Sequence, residues 1–245
     1  MPILEGKGVT KYFGGLAAVS NVDFKVNKGE AFGLIGPNGA GKTTLFNLIS
    51  AALVPKSGTI RFKGKNITGK SPYKICRMGI ARTFQTVKVF ADLPVLNNVI
   101  LGSYFGMSPG MSSKDAVREA TELLKFVGLS DVSGSPAKDL TLGKQKRVEV
   151  ARALATKPEL LLLDELMAGL NASEVAEAMK LVARIRKKGV TVIMIEHVMK
   201  AIMNVCERII VLHHGAKIAE GTPKEIATSE TVIKVYLGEK AHAGR

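Results

Sequence analysis

Three nearly uninterrupted apolar runs, Ala31–Ile35, Leu160–Leu163 and Val190–Ile195, are separated by segments of a different period. Runs this short and this continuous fit strands buried on both faces, as in a parallel sheet, because a strand with one wet face alternates instead. Residues 42–53 repeat apolar side chains at Leu45, Leu48, Ile49 and Ala52, and Ser173–Lys187 keeps a similar spacing, so both are predicted as helices. Strand, helix and strand in succession predict a parallel sheet flanked by helices. Gly8–Val26 and Thr59–Gly64 alternate in character and carry turn glycines, which predicts antiparallel strands leaning on that sheet. Ala116, Ala120, Leu123, Leu124 and Val127 form a helical stripe over Ser113–Val127, and SDVSGSPAKDL after it is loop-like. These patterns predict one domain over residues 1–245: an α/β lobe from residues 1–85 and 158–245, with a helical lobe, 86–157, inserted into it.

Composition narrows the class. With 245 residues, 46% hydrophobic and 23% charged, the chain is long enough to bury a sizeable core. Its apolar runs are strand-sized, well short of the roughly 18–20 residues that cross a bilayer, so no span is expected. The opening MPILEGKGVTKYF lacks the basic-then-apolar layout of a secretion signal, and two cysteines, Cys76 and Cys206, make no disulfide framework. Both are expected to be reduced core residues in a cytosolic protein. The formal charge of +14 would attract nucleic acid, an anionic membrane face or nucleotide phosphates. Charge does not choose among them, because the basic residues are spread out and form no blocks of five or six.

The choice comes from residues 36–44, GPNGAGKTT, which follow the first apolar run and open the first helix. Across Gly36, Pro37, Asn38, Gly39, Ala40 and Gly41 the small residues let the loop's backbone N–H groups converge on phosphate oxygens at a helix start. Lys42 is placed to reach the β- and γ-phosphates, Thr43 to hold Mg²⁺, and Thr44 continues the loop into the helix. In LLLLDE (160–165), four leucines put Asp164 at the carboxyl end of a buried strand, the edge where open sheets bind ligands. Asp164 is the candidate for the metal's water shell. Glu165 is the candidate general base for an attacking water.

After VTVIMI come Glu196 and His197, where an imidazole could hydrogen-bond a γ-phosphate; a lone histidine is more often structural. Gln85, in TFQ at the junction of the predicted lobes, could ligate Mg²⁺ or water and report nucleotide state, although taken singly it is a polar loop residue.

The order phosphate loop, Gln85, LTLGKQKR (140–147), LLLLDE and His197 resembles the ATP-binding subunit of ABC transporters over essentially the whole chain. In that family the order is Walker A, Q-loop, signature, Walker B, D-loop and H-loop. The strings GIARTFQ (79–85), AGLN (168–171), IEH (195–197) and VYLGE (235–239) are similar to the ATPases of branched-chain amino acid importers. The resemblance implies an α/β P-loop NTPase fold of RecA-like type, with an antiparallel β subdomain and an inserted helical subdomain. It implies ATP and Mg²⁺ as cofactors, catalysis by Lys42, Glu165 and His197, and Phe13 of KYFGG stacking on adenine, with Tyr12 its rival.

It also implies partners: a second ATP-binding subunit, identical or different, permease subunits docking around Gln85 to Met107, and a separate substrate-binding protein, on the cytoplasmic face of the membrane. No nucleic acid is expected.

The sequence departs from the family in places. Leu140, Thr141, Leu142, Gly143 and Lys144 stand where Leu-Ser-Gly-Gly-Gln is usual, so three of five letters differ. Thr141 can still donate, Gly143 still allows close approach, Lys144 adds positive charge, and Leu142 is bulky where glycine is usual. Leu166 replaces the proline after Asp-Glu, and Val198 follows Glu196 and His197 in place of aspartate. The expected function is ATP hydrolysis energising import of branched-chain or other hydrophobic amino acids, or related amides. The alternatives are the ATPase of a lipid or lipopolysaccharide exporter, a soluble ABC protein acting on nucleic acid, and a binding module that no longer hydrolyses ATP.

Overall fold

The computed structural model describes residues 2–106 and 111–242. The elements begin with β1 (Pro2–Phe13), β2 (Leu16–Asn27), β3 (Ala31–Ile35), α1 (Lys42–Ile49), β4 (Ser57–Phe62), β5 (Lys65–Asn66), α2 (Pro72–Met78) and β6 (Ile80–Arg82). They continue with α3 (Val95–Phe105), α4 (Ser113–Val127), α5 (Leu142–Ala155), β7 (Leu160–Asp164), α6 (Ala172–Lys187) and β8 (Thr191–Ile195). The chain closes with α7 (Met199–Val205), β9 (Arg208–His213), β10 (Ala216–Gly221), α8 (Pro223–Thr228) and α9 (Glu230–His242). Two compact units form, one from the residues up to Pro72 together with those from Thr191 onward, the other from Tyr73–Val190.

In the first unit β3 lies between β8 and β9, parallel to both, and β9 pairs antiparallel with β10. Every residue of β3 and β8 is buried, as their unbroken apolar runs require. The same unit holds an antiparallel sheet in the order β2, β1, β4, β5. There alternation decides the facing: Val22, Phe24 and Val26 are buried while Asp23, Lys25 and Asn27 are exposed. α1 turns Leu45, Phe46, Leu48 and Ile49 inward, each burial contributing about 1.5–3 kcal/mol. The helix predicted to reach residue 53 ends at Ile49, because Ser50 caps it and Ala51 enters the left-handed region at φ 56°.

In the second unit β6 pairs parallel with β7, Ile80 opposite Leu160 and Arg82 opposite Leu162. α3, α4 and α5 pack on one another. α4 spans the predicted residues, opened by Ser112, whose side chain accepts from the Asp115 N–H, and closed by Gly128 at φ 75°. Where α3 crosses α5, a Cβ on Gly102 would lie 2.2 Å from the Arg152 carbonyl oxygen, so only glycine allows the approach. The stretch read as loop-like holds two single 3₁₀ turns, Ser130–Val132 and Ala137–Asp139. Cys206 is buried as expected, whereas Cys76 is only half-buried. Among the described residues no helix is long and apolar enough to cross a membrane. Met107, the far limit of the stretch expected to meet a permease, lies outside the described residues.

Candidate active site

β3 delivers the chain into the phosphate loop. Gly36, Gly39 and Gly41 have φ of 150°, 78° and 99°, values that L side chains rarely adopt. A Cβ on Gly36 would sit 2.2 Å from the Leu212 carbonyl oxygen, and one on Gly41 2.2 Å from that of Ala18. The loop therefore rests on β2 and on the β9–β10 turn, whose Gly215 N–H donates to Ala40 O at 3.0 Å. Ala40 and Pro37 are buried, and Asn38 and Gly39 are exposed at the tip.

α1 begins at Gly41 with no side-chain cap and no acidic residue in its first turn, so its leading N–H groups suit an anion. Lys42 is buried and its ammonium folds back onto the carbonyls of Gly36 (2.6 Å) and Pro37 (2.8 Å). The lysine thus lines the loop from within. Thr43 is exposed and Thr44 half-buried.

β8 runs parallel to β3, with Leu34 opposite Ile195, so Glu196 and His197 leave the sheet at the edge where the phosphate loop begins. Glu196 is buried and His197 exposed. Phe13 ends β1 at a hairpin whose return strand passes Ala17 and Ala18, the residues that back onto Gly41 and Gly215. Phe13 and Tyr12 are about half exposed, 49% and 46%, with the Lys11 ammonium 5.6 Å from the Phe13 ring centre. Their exposure alone does not separate them.

In the second unit, Thr83 to Gln85 leave β6 beside the carboxyl end of β7. The Thr83 N–H donates to Leu162 O at 2.9 Å, and the Asp164 N–H donates to the Thr83 hydroxyl at 3.2 Å. This joins three predicted site residues: Asp164 ends the strand, Glu165 follows it, and the Gln85 amide donates to Glu165 Oε2 at 3.0 Å. Glu165 has φ 50°, a left-handed conformation that costs a non-glycine residue about 1–3 kcal/mol and clusters at functional sites. Within this unit the Gln85 amide and the Asp164 carboxylate carry hard oxygen donors. Donors of that kind suit Mg²⁺, which is commonly held by one or two carboxylates plus substrate phosphates. Among the described residues no group of three His, Cys, Asp or Glu side chains could hold a metal by itself.

Thr141 caps α5, its hydroxyl accepting from the Lys144 N–H at 3.4 Å. Leu142 is 44% exposed, and Gly143 is buried so tightly that a Cβ there would lie 2.6 Å from Glu174 Oε1. The charge that Lys144 brings is partly answered by Asp131, 3.4 Å away.

Three further residues were not singled out from sequence. The Arg82 guanidinium pairs with Asp164 at 2.7 Å, their side chains 11% and 1% exposed. The Lys146 ammonium, 5% exposed, donates to Glu165 O at 2.8 Å and to Ala168 O at 2.7 Å. Glu149, one turn further along α5, accepts from the Lys88 N–H at 3.3 Å. Burial pushes the Glu149 carboxyl above its ordinary range, offset in part by backbone donors at Lys88 and Phe84 and by Arg152. Arg82 and Lys146 lie inside strings already quoted, but nothing local marks their partners 82 and 19 residues away.

The family profile described as ABC transporter matches residues 19–168, and that described as branched-chain amino acid ATP-binding cassette transporter matches residues 216–242. The high-affinity branched-chain amino acid transport ATP-binding protein BraF of Pseudomonas aeruginosa is 39% identical, covering 97% of this chain and 98% of its own length. LivG of Escherichia coli, which carries the same description, is 38% identical over the same shares of both chains. Among solved structures, an ATP-binding cassette of an ABC transporter, MJ1267, in its ADP conformation, superposes with a TM-score of 0.87 at 33% identity. That match covers 97% of this chain and 99% of the other. The phosphate loop on β3, the acidic pair closing β7 and these matches over nearly the full length lead to one conclusion: the chain belongs to the ABC transporter family, as one of its ATP-binding cassettes.

Proposed function

We propose that this chain is the ATP-hydrolysing subunit of a membrane importer for branched-chain or other hydrophobic amino acids, or related amides. The observation that carries the hydrolytic part is Glu165, held by the Gln85 amide at the end of β7 directly after Asp164. The cargo class is supported by the names of the relatives, which are branched-chain amino acid transport proteins, and by the profile match at residues 216–242.

In this reading Lys42 exchanges the carbonyls of Gly36 and Pro37 for the β- and γ-phosphate oxygens, and the N–H groups opening α1 hold the same phosphates. Phe13 stacks on the adenine. Glu165 accepts the proton of the attacking water, and Gln85 fixes the carboxylate that does so. His197 hydrogen-bonds the γ-phosphate and reports its loss. Mg²⁺, when bound through Thr43, Gln85 and Asp164, supplies charge that stabilises the transferring phosphoryl group.

Thr141, Leu142, Gly143 and Lys144 act on the nucleotide of a second ATP-binding subunit, identical or different, and that subunit's equivalents act on this one. ATP then joins the two subunits and hydrolysis parts them. The helical lobe of residues 86–157 passes the movement to permease subunits on the cytoplasmic face of the membrane, supplied by a separate substrate-binding protein.

A Glu165→Gln protein tests this. It should bind ATP, lose nearly all phosphate release, and elute as a dimer when ATP and Mg²⁺ are present. Elution as a monomer under those conditions would refute the paired arrangement. Uptake of leucine, other amino acids and urea by vesicles holding the co-purified permease tests the cargo.

A further inference from the structure

The Ala168 N–H closes residues 165–168 through Glu165 O at 3.2 Å, Glu165 itself has φ 50°, and the next residue is Leu166, whose backbone no ring fixes. The second hold comes from α5. The Lys146 ammonium reaches the carbonyl oxygens of both ends of this turn, Glu165 at 2.8 Å and Ala168 at 2.7 Å, from a side chain that is 5% exposed.

Further contacts bring the same helix close. A Cβ on Gly143 would press to 2.6 Å on Glu174, and one on Gly169 would lie 3.1 Å from Leu142 Cδ2, so the first turn of α5 packs directly on the loop after β7. Lysine suits the position because it has several donors on one small charge and no acceptor, and two carbonyl dipoles converge on it.

We propose that Lys146 is a positioning residue for hydrolysis: by clamping the Glu165 and Ala168 carbonyls it holds the strained Glu165 backbone so that the carboxylate faces its water. The inference rests on the reading of Glu165 as the general base. Small misplacements of such a group reduce rate steeply while leaving phosphate binding at the Lys42 loop unaffected.

The test uses Lys146→Met, of similar length without donors, and Lys146→Arg, which keeps the charge. The readouts are steady-state ATP hydrolysis and amide exchange at Met167 and Ala168. In Lys146→Met kcat should fall at least tenfold with KM for ATP within twofold. The Ala168 amide should exchange at least tenfold faster while those of Leu162 and Leu163 do not change. Lys146→Arg should recover part of both. Unchanged kcat, a KM that rises in step with the loss, or unchanged exchange at Ala168 overturns the proposal.

Should Lys146→Met not fold, Lys146→Gln, shorter and uncharged, takes its place with the same expected and refuting outcomes. Glu165→Gln separates the two layers. If it still hydrolyses ATP, the reading of Glu165 fails; if it is inactive while Lys146→Met is normal, only the clamp fails.

Discussion

The Arg82–Asp164 pair offers the sharpest test of how the second unit is held together. Its atoms are 2.7 Å apart and the two side chains 11% and 1% exposed, so neither charge is well served by water. Removing one partner of a buried pair typically costs 3–5 kcal/mol, because the other charge is left in a poor medium. Arg82 also stacks over Phe84, 5.2 Å from guanidinium carbon to ring centre, contact that a methionine partly keeps. Arg82→Met is therefore expected at the lower end, about 3 kcal/mol, and Asp164→Asn at about 2 kcal/mol since the arginine can move toward solvent. Together they should cost about 3 kcal/mol and not the sum of about 5, a coupling of about 2 kcal/mol.

Urea unfolding of the parent, both single variants and the double, without nucleotide and in one buffer, measures all four corners of the cycle. If the double variant equals the sum of the singles within about 0.5 kcal/mol, the ions do not stabilise one another and the argument from burial is wrong.

Two other expectations come from the same contacts. Gly41→Ala forces a Cβ to 2.2 Å from the Ala18 carbonyl at φ 99°; about 3 kcal/mol or more of stability should go, and calorimetric ATP binding should be lost with it. Glu149 has a folded pKa raised above its ordinary 4.5, so its contribution to stability is present below pH 4.5 and is lost as pH rises through the folded value. Glu149→Gln, which keeps an oxygen for the Lys88 N–H, should lack that loss. Its urea midpoint should gain on the parent's between pH 4.5 and 7.5, and a constant gap would refute the assignment.

Much of the first unit was legible because its signals are local. Unbroken apolar runs located β3 and β8 there, as one located β7 in the second unit, and the spacing of Leu45, Leu48 and Ile49 located α1. The residues of the phosphate loop are contiguous, so their chemistry could be read in one pass. β6, three residues long, is a strand because β7 pairs with it, and no three-residue pattern declares that. α3 is apolar nearly all round, as a helix packed against both α4 and α5 must be, so it shows no stripe. Gln85 and Glu165 were each legible as candidates, but the hydrogen bond that joins them spans 80 residues and has no local signal. Arg82 and Lys146 went unnoticed because their roles lie in atoms brought near by folding.

The phosphate loop rests on Leu212 and Gly215, which belong to a hairpin near the other end of the chain. A ribosome releases the glycine-rich segment long before that support. The nascent polypeptide therefore carries a nucleotide-binding sequence without a finished cradle for most of its synthesis. The support that the loop leans on arrives only when β9 and β10 have emerged.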